Sequence, residues 1–185
     1  MSTTATKLTY DDYVKLPADG KRYEIIDGEL YVNPAPVPRH QFIVLNLAVP
    51  LRAYFKKHGG GKVLIAPVDV VLTRDTIVEP DVVVIKDDRA SIIGAKNIQG
   101  VPHLVVEVLS DGTRRYDEIQ KRKLYEHAGV DEYWIVDPET ELVKIYRSSG
   151  STFARAEEID TDTGGTITSP QLPGFALPIA EVFAE

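Results

Sequence analysis

Residues 103–137 read HLVVEVLSDGTRRYDEIQKRKLYEHAGVDEYWIVD, and this stretch decides the fold of the chain. The apolar run from Leu104 to Leu109 has the length and composition of a strand buried on both faces. A helix is predicted over residues 113–128, because Gly129 suits the left-handed position that ends many helices. EYWIVD predicts a second buried strand. A strand, a helix and a strand in this order predict a parallel crossover, and therefore an α/β fold.

The rest of the chain predicts further strands and helices around this crossover. RYEIIDGELYV predicts two strands joined at Asp27 and Gly28, which form an N-terminal hairpin. Pro38 begins a helix predicted to reach about Lys57, with Pro50 expected to kink or divide it. KVLIAP, DVVLT, PDVVVIK and LVKIYR predict further strands, the last pairing with EYWIVD across the turn DPET. The expected architecture is an α/β fold with a mixed β-sheet flanked by helices.

Both ends of the chain predict minor elements. Thr9 can cap a short helix over residues 10–16, and residues 1–8 before it are expected to be flexible. Residues 148–185 alternate weakly and contain three prolines, which predicts edge strands and a short final helix. With no repeat or long linker between these ends, residues 1–185 are interpreted as a single domain.

Composition and charge limit the classes of function. The chain has 185 residues, of which 43% are hydrophobic and 26% charged, as in ordinary globular proteins. It has no cysteine, which excludes disulfides and thiolate metal sites. It shows neither a signal segment nor an apolar run of about 18–20 residues, so we expect a cytoplasmic location without membrane contact. The net charge of −7 predicts that any contact with nucleic acid is local.

Two acids lie at buried-type strands. Glu107 interrupts an apolar strand, where an ionised carboxylate is costly without a cation or strong donors. Asp81 begins the strand of EPDVVVI. Strand alternation places Asp81 on the face of Val83, and Glu107 on the face of Val105. If these two strands pair, the two carboxylates come close together.

Such a pair of acids predicts a metal site. Two neighbouring carboxylates stay ionised in apolar surroundings only when a positive charge lies between them. Oxygen ligands suit Mg²⁺ or Mn²⁺, so the predicted ligands are Asp81, Glu107 and the backbone carbonyl of Val108. Glu24, in YEIIDGE, could complete the site directly or through water.

Basic residues near Glu107 are candidate partners of a phosphate. Lys121 lies in the helix after Glu107, where an ammonium group could orient a water or stabilise charge on a phosphate. Arg114 and Arg115 are candidate phosphate contacts, although such residues usually form a solvated helix face. His40, near the start of the long helix, is a candidate water or phosphate contact, and the alternative is a capping or surface histidine.

Taken together, these motifs resemble a known class of enzymes. The Pro80–Asp81 pair, the strand acid and a following lysine are the constellation of the PD-(D/E)XK nuclease superfamily. More narrowly, the chain resembles the putative restriction endonuclease domain family in YEIIDGEL, the His40 helix, EPDVVVI, HLVVEVLSDGTRRYD and LYEHAGVDEYWIVDP. The resemblance runs from about Thr9 to Arg147 and is specific as a set of motifs.

The resemblance implies a restriction-endonuclease-like core in this mixed sheet. It also implies a metal-dependent endonuclease that hydrolyses phosphodiester bonds in DNA, and a homodimer. It makes Asp81 and Glu107 the metal-binding acids, and Glu24 the acid of the family's early motif. One departure from the superfamily is Leu109, which stands where E-x-K would have its lysine. The resemblance supplies that lysine from the helix, as Lys121.

Two alternatives compete with this interpretation. The protein could be a nucleic-acid-binding or regulatory module that keeps the fold with little or no cleavage, as the acidic net charge suggests. Glu107 could instead form a purely structural salt bridge with Lys121 or an arginine, without any metal. A nicking assay separates the first alternative from catalysis, and calorimetry with Mn²⁺ tests the second.

Overall fold

The computed structural model describes residues 7–110 and 116–185, and only the backbone of residues 116 and 117. Within them the α-helices are α1 (Tyr10–Tyr13), α2 (Pro38–His58), α3 (Arg122–Ala128) and α4 (Ile179–Val182). The strands follow in chain order: β1 (Arg22–Ile26), β2 (Glu29–Asn33), β3 (Gly61–Ile65), β4 (Val70–Thr73), β5 (Thr76–Val78), β6 (Val82–Lys86), β7 (Ile98–Gln99), β8 (Leu104–Val108), β9 (Glu132–Asp137), β10 (Leu142–Ser149), β11 (Thr152–Phe153), β12 (Glu157–Asp160), β13 (Thr166–Ser169) and β14 (Leu172–Pro178). A 3₁₀-helix spans Asp87–Ile92, and a π-helix spans Tyr116–Lys121 and leads directly into α3.

The described strands form two large sheets and one hairpin. The larger sheet has seven strands in the order β11-β10-β9-β8-β6-β3, with β12 also paired to β10. The smaller sheet has five strands in the order β2-β1-β5-β4-β7, and β13 pairs with β14. Strands β8 and β9 are parallel, whereas β6 and β8 are antiparallel. The mixed α/β architecture predicted from the sequence is therefore confirmed.

The larger sheet is covered on both faces because its central strands are apolar on both. One face packs against α2, the β13–β14 hairpin and α4, through residues such as Leu47, Val106 and Trp134. The opposite face packs against α3 and the smaller sheet, through residues such as Val105 and Tyr125. Strand β8 is buried along its whole length, which confirms the interpretation of LVVEV as a two-sided buried strand.

Short sequence motifs with a strong turn or helix-end preference predicted the local structure correctly. The hairpin β1–β2 turns at Asp27 and Gly28, both with positive φ, as its Asp-Gly sequence predicts. Gly129 ends α3 in the left-handed conformation. Pro50 lies inside α2 without dividing it, so that part of the expectation was wrong.

Other elements differ from the sequence prediction. Strand β5 was not predicted, because its three residues follow β4 after only a short turn. The predicted helix after β8 begins outside the described residues, and its first described part is the π-helix. Among the described residues, no helix combines the length and apolar character needed to cross a membrane.

Candidate active site

Asp81 and Glu107 lie on neighbouring strands at one end of the larger sheet. In the antiparallel pair, Val82 is opposite Val106 and Val83 is opposite Val105. Extending this register by one position brings Asp81, just before β6, opposite Glu107. Both residues are only 3% exposed, so both acids belong to the interior of the protein. The strand pairing on which the predicted acid pair depends is therefore present.

The Asp81 carboxylate accepts contacts from three directions. Its Oδ2 accepts a hydrogen bond from the backbone N–H of Val108 at 2.9 Å and lies 3.2 Å from His40 Nε2. Its Oδ1 lies 3.3 Å from Arg22 Nη1. Burial alone would raise the pKa of Asp81, but the hydrogen bond with His40 and then the charge of Arg22 bring it below its ordinary value. Asp81 is therefore held as a carboxylate.

Glu107 is joined to α3 and the π-helix before it. Its Oε1 accepts hydrogen bonds from Lys121 Nζ at 2.9 Å and from the Tyr125 hydroxyl at 2.8 Å. Both donors lie on one face, as their spacing of four residues requires. Burial, followed by the charge of Glu107, raises the pKa of Tyr125 well above its ordinary value, so this hydroxyl remains a donor. The salt bridge proposed as the structural alternative for Glu107 is thus present.

Glu24 brings the smaller sheet into the site. It is fully buried on β1, and its Oε1 lies 3.0 Å from Lys121 Nζ and accepts the backbone N–H of Glu79 at 2.9 Å. Its Oε2 accepts a hydrogen bond from Asn33 Nδ2 at 2.8 Å. Burial raises the pKa of Glu24, but the charge of Lys121 and these hydrogen bonds outweigh burial, so the pKa lies below its ordinary value. Lys121 therefore lies between two buried acids, Glu24 and Glu107.

Arg22 is a site residue that the sequence analysis missed. It lies two positions before Glu24 on β1, so strand alternation places both side chains on one face and could have revealed it. Its Nε lies 3.3 Å from Glu79 Oε2, and its Nη2 donates to the Glu79 carbonyl. Burial lowers the pKa of Arg22, but the charges of Asp81 and Glu107 outweigh it and raise the pKa. Each of the two cations therefore pairs with two acids: Arg22 with Glu79 and Asp81, and Lys121 with Glu24 and Glu107.

A cavity of about 380 Å³ opens onto these residues. Its polar lining includes both cations and both strand acids, and Glu24 lies behind this lining. The residues lining it are Arg22, Asn33, Pro34, Ala35, Pro36, Val37, Arg39, His40, Asp81, Glu107, Val108, Leu109, Ser110, Lys121, Pro138 and Glu139. A cavity that combines apolar wall residues with converging charged and polar groups is typical of a ligand site.

The predicted site residues that the structure describes are brought together. Asp81, Glu107, Val108, Lys121 and His40 all line the cavity, and Glu24 contacts Lys121 from behind it. His40 reaches Asp81 through Nε2, a contact that was not expected. Arg114 and Arg115 lie outside the described residues.

The donors present fit a hard divalent cation in their chemistry. The backbone N–H of Leu109 donates to the Val136 carbonyl on β9. Because neighbouring residues of a strand direct their backbone groups to opposite sides, the N–H and carbonyl of Val108 point away from β9. The hydrogen bond from the Val108 N–H to Asp81 agrees with this direction. The Val108 carbonyl and the carboxylates of Asp81 and Glu107 therefore offer oxygen ligands around the cavity. Among residues 7–110 and 116–185, however, no three histidine, aspartate or glutamate side chains lie placed to hold an ion together.

The sheets and the helices that flank them place the chain in the class of mixed α/β proteins. The model of the Uma2 family, described as putative restriction endonucleases, matches residues 10–180, and the chain belongs to this family. A solved structure of similar fold is a putative nuclease of DUF820 from Anabaena variabilis, with a TM-score of 0.80 and 20% identity. The match covers 95% of this chain and 97% of that one. The comparison with curated proteins gave no match.

Proposed function

We propose that this protein is a divalent-metal-dependent endonuclease that hydrolyses phosphodiester bonds in DNA. The observation that carries the proposal is the opposition of Asp81 and Glu107 at one end of β6 and β8, beside the buried Lys121 and at the wall of a cavity. Membership of the Uma2 family supports a nuclease activity. The metal, the DNA substrate and the residue roles below are part of the proposal.

In this proposal Asp81, Glu107 and the Val108 carbonyl hold Mg²⁺ or Mn²⁺. A divalent cation would supply Lewis acidity there, lowering the pKa of a water and offsetting negative charge on the scissile phosphate. Asp81 suits the role because its lowered pKa keeps it anionic near neutral pH. The Val108 N–H fixes the carboxylate plane, so the ligand is oriented before any cation binds.

Lys121 and Glu24 act as a linked pair in this proposal. Lys121 Nζ holds the Glu107 carboxylate in place and presents positive charge at the cavity wall, where it can stabilise charge developing on a phosphate. Glu24 holds that ammonium from the opposite side. Because Glu24 does not line the cavity, we assign it a positioning role through Lys121. His40 orients Asp81 and is the candidate phosphate contact at the start of α2.

A nucleic-acid-binding or regulatory module with weak or absent cleavage is the second candidate. The observation that favours it is that Arg22 and Lys121 already pair with Asp81 and Glu107, so each of these acids has a cationic partner without a metal. The two candidates differ in whether Mg²⁺ or Mn²⁺ produces cleavage that depends on Asp81.

The deciding measurement is nicking of supercoiled plasmid DNA with Mg²⁺ or Mn²⁺. We expect Asp81→Asn to reduce the rate by at least about 100-fold, because a neutral amide is a poor ligand for a hard cation. Lys121→Ala should reduce it by at least about 100-fold as well. The exposed residues Asp87 and Lys123, changed to alanine, are matched controls that should keep the wild-type rate.

Thermal unfolding of each variant must accompany the assay, because removal of Lys121 leaves two acids buried. If Lys121→Ala does not fold, Glu107→Gln replaces it, since this change keeps the volume of the side chain. Equal metal-dependent cleavage by wild type, Asp81→Asn and the second site variant would refute the catalytic assignment. Absence of cleavage by folded wild type, together with DNA binding, would favour the regulatory module.

A further inference from the structure

Arg22 lies at one oxygen of the Asp81 carboxylate, and both residues line the cavity. Asp81 Oδ2 is already engaged by the Val108 N–H and by His40, whereas Oδ1 contacts Arg22 Nη1 at 3.3 Å. A cation that binds Asp81 through Oδ1 therefore meets the oxygen at which the guanidinium lies. A guanidinium remains charged at any ordinary pH, so this contact is always present as a charge pair.

The guanidinium is tethered at a second point. Glu79 contacts its Nε through Oε2 and its Nη2 through the backbone carbonyl. These contacts are independent of Asp81, so Arg22 can give up the Asp81 contact without losing its buried counter-ion. Its side chain is also 20% exposed and lines the cavity, which leaves space for it to move. The exchange of one cation for another leaves neither Asp81 nor Arg22 as an unpaired buried charge.

We propose that Arg22 is an internal competitor of the divalent cation, which binds Asp81 only as the guanidinium gives up its contact with that carboxylate. This inference rests on the proposed function, since it concerns the same metal site. Arg22 thereby sets the metal affinity of the site. It is a positioning residue that acts through Asp81, and its effect is on metal binding before any chemistry occurs.

Calorimetric titration of Mn²⁺ into the protein without nucleic acid tests the proposal. Arg22→Gln should lower the dissociation constant for Mn²⁺ at least about tenfold, because it removes the positive charge of a guanidinium several ångströms from the ion. Arg39→Gln is the matched control: Arg39 also lines the cavity but pairs with Glu141 at 2.7 Å, and we expect the wild-type affinity. Arg22→Lys keeps the charge with fewer contacts and should give an intermediate affinity.

A second measurement uses the wild-type protein and does not depend on how Arg22→Gln folds. The ¹⁵N resonance of Arg22 Nε, assigned from its absence in Arg22→Lys, should shift on saturation with Mg²⁺. An unshifted resonance at saturation overturns the proposal. So does an Arg22→Gln affinity equal to or weaker than that of wild type.

The outcomes also separate this inference from the proposed function. If Asp81→Asn abolishes Mn²⁺ binding while Arg22→Gln matches wild type, the metal site stands and the competitor role fails. If wild type and Arg22→Gln both fail to bind Mn²⁺, the metal site and the competitor role fail together. Binding by Arg22→Gln that greatly exceeds binding by wild type supports both.

Discussion

At the scale of single residues, Lys121 is the charge on which the candidate site depends. Its ammonium lies 3.0 Å from Glu24 and 2.9 Å from Glu107, and all three side chains are buried. Such buried pairs add little net stability relative to apolar residues, but removal of one partner is costly. The lysine is therefore a structural requirement of the site whatever its part in chemistry.

Lys121→Met should lower the free energy of unfolding by about 3–5 kcal/mol, because Glu24 and Glu107 then remain buried without their cation. Urea unfolding at neutral pH measures the change. The triple variant Lys121→Met, Glu24→Gln, Glu107→Gln should recover part of the loss, since it contains no unpaired buried charge. Lys123→Met, exposed in the adjoining helix α3, should change the stability by less than about 0.5 kcal/mol. A Lys121→Met protein as stable as this control would contradict the expectation.

Site residues were predictable where a charge interrupted an apolar pattern. Glu107 stood out within LVVEV, and Lys121 stood out as a lysine in the helix predicted after it. Arg22 was missed because a charged residue at the start of a hairpin strand is common. Its significance depends on Glu79 and Asp81, which are distant in sequence and meet it only through the pairing of β1 with β5.

At the scale of elements, Glu132 connects the larger sheet to the C-terminal hairpin. It is 1% exposed at the start of β9, accepts a hydrogen bond from Trp134 Nε1 at 2.9 Å, and accepts one from Ser169 on β13. Arg147 Nε lies 3.4 Å from its Oε1. Burial raises the pKa of Glu132, and the hydrogen bonds from Ser169 and Trp134 oppose the change without cancelling it.

This shift predicts a pH-dependent stability. The unfolded carboxyl loses its proton at about pH 4.3, whereas the folded one keeps it to a higher pH. The folded state therefore binds more protons between the two pKa values, and the free energy of unfolding falls as the pH rises through this window. In Glu132→Gln the free energy of unfolding should not show this part of its decline with rising pH. Urea unfolding from about pH 4 to about pH 8 measures it, with the exposed Glu158→Gln as the control. Parallel pH profiles of wild type and Glu132→Gln would contradict the assignment.

The helices, turns and strands that depend on neighbouring residues were predictable from the sequence, whereas the pairing of strands across long sequence distances was not. The Asp-Gly hairpin, the end of α3 at Gly129 and the parallel pair β8–β9 follow from neighbouring residues. The five-stranded sheet does not, because β1 pairs with β5 some fifty positions away and β5 is very short. The π-helix before α3 has no sequence signal that separates it from an α-helix.

At the scale of the whole molecule, the charge of the cavity differs from the net charge of the chain. The chain carries a net charge of −7, whereas the cavity is lined by as many cations, Arg22, Arg39 and Lys121, as acids, Asp81, Glu107 and Glu139. An acidic protein repels nucleic acid over most of its surface, so contact must be local. The homodimer and the single domain expected from the sequence stay predictions.

If the proposed function holds, the affinity for DNA should depend only modestly on salt. A local contact with about two to four phosphates gives a slope of about −2 to −4 in a plot of log affinity against log salt. Fluorescence anisotropy of a labelled duplex with EDTA present measures it. Lys57→Gln, exposed at the far end of α2, is the control and should leave the slope unchanged. A slope steeper than about −6 would indicate a broad interface instead.

The candidate site draws its side chains from both large sheets and from helices on either side of the larger one. Glu24, His40 and Asp81 come from the first half of the sequence, whereas Glu107 and Lys121 come from the second. A nascent chain that has emerged only as far as residue 102 carries three of these five residues, and its Glu24 lacks the Lys121 ammonium with which it pairs. The order of the residues therefore has a consequence during synthesis. The proposed hydrolysis cannot begin on the ribosome before the parallel crossover from β8 to β9 has been synthesised and has folded.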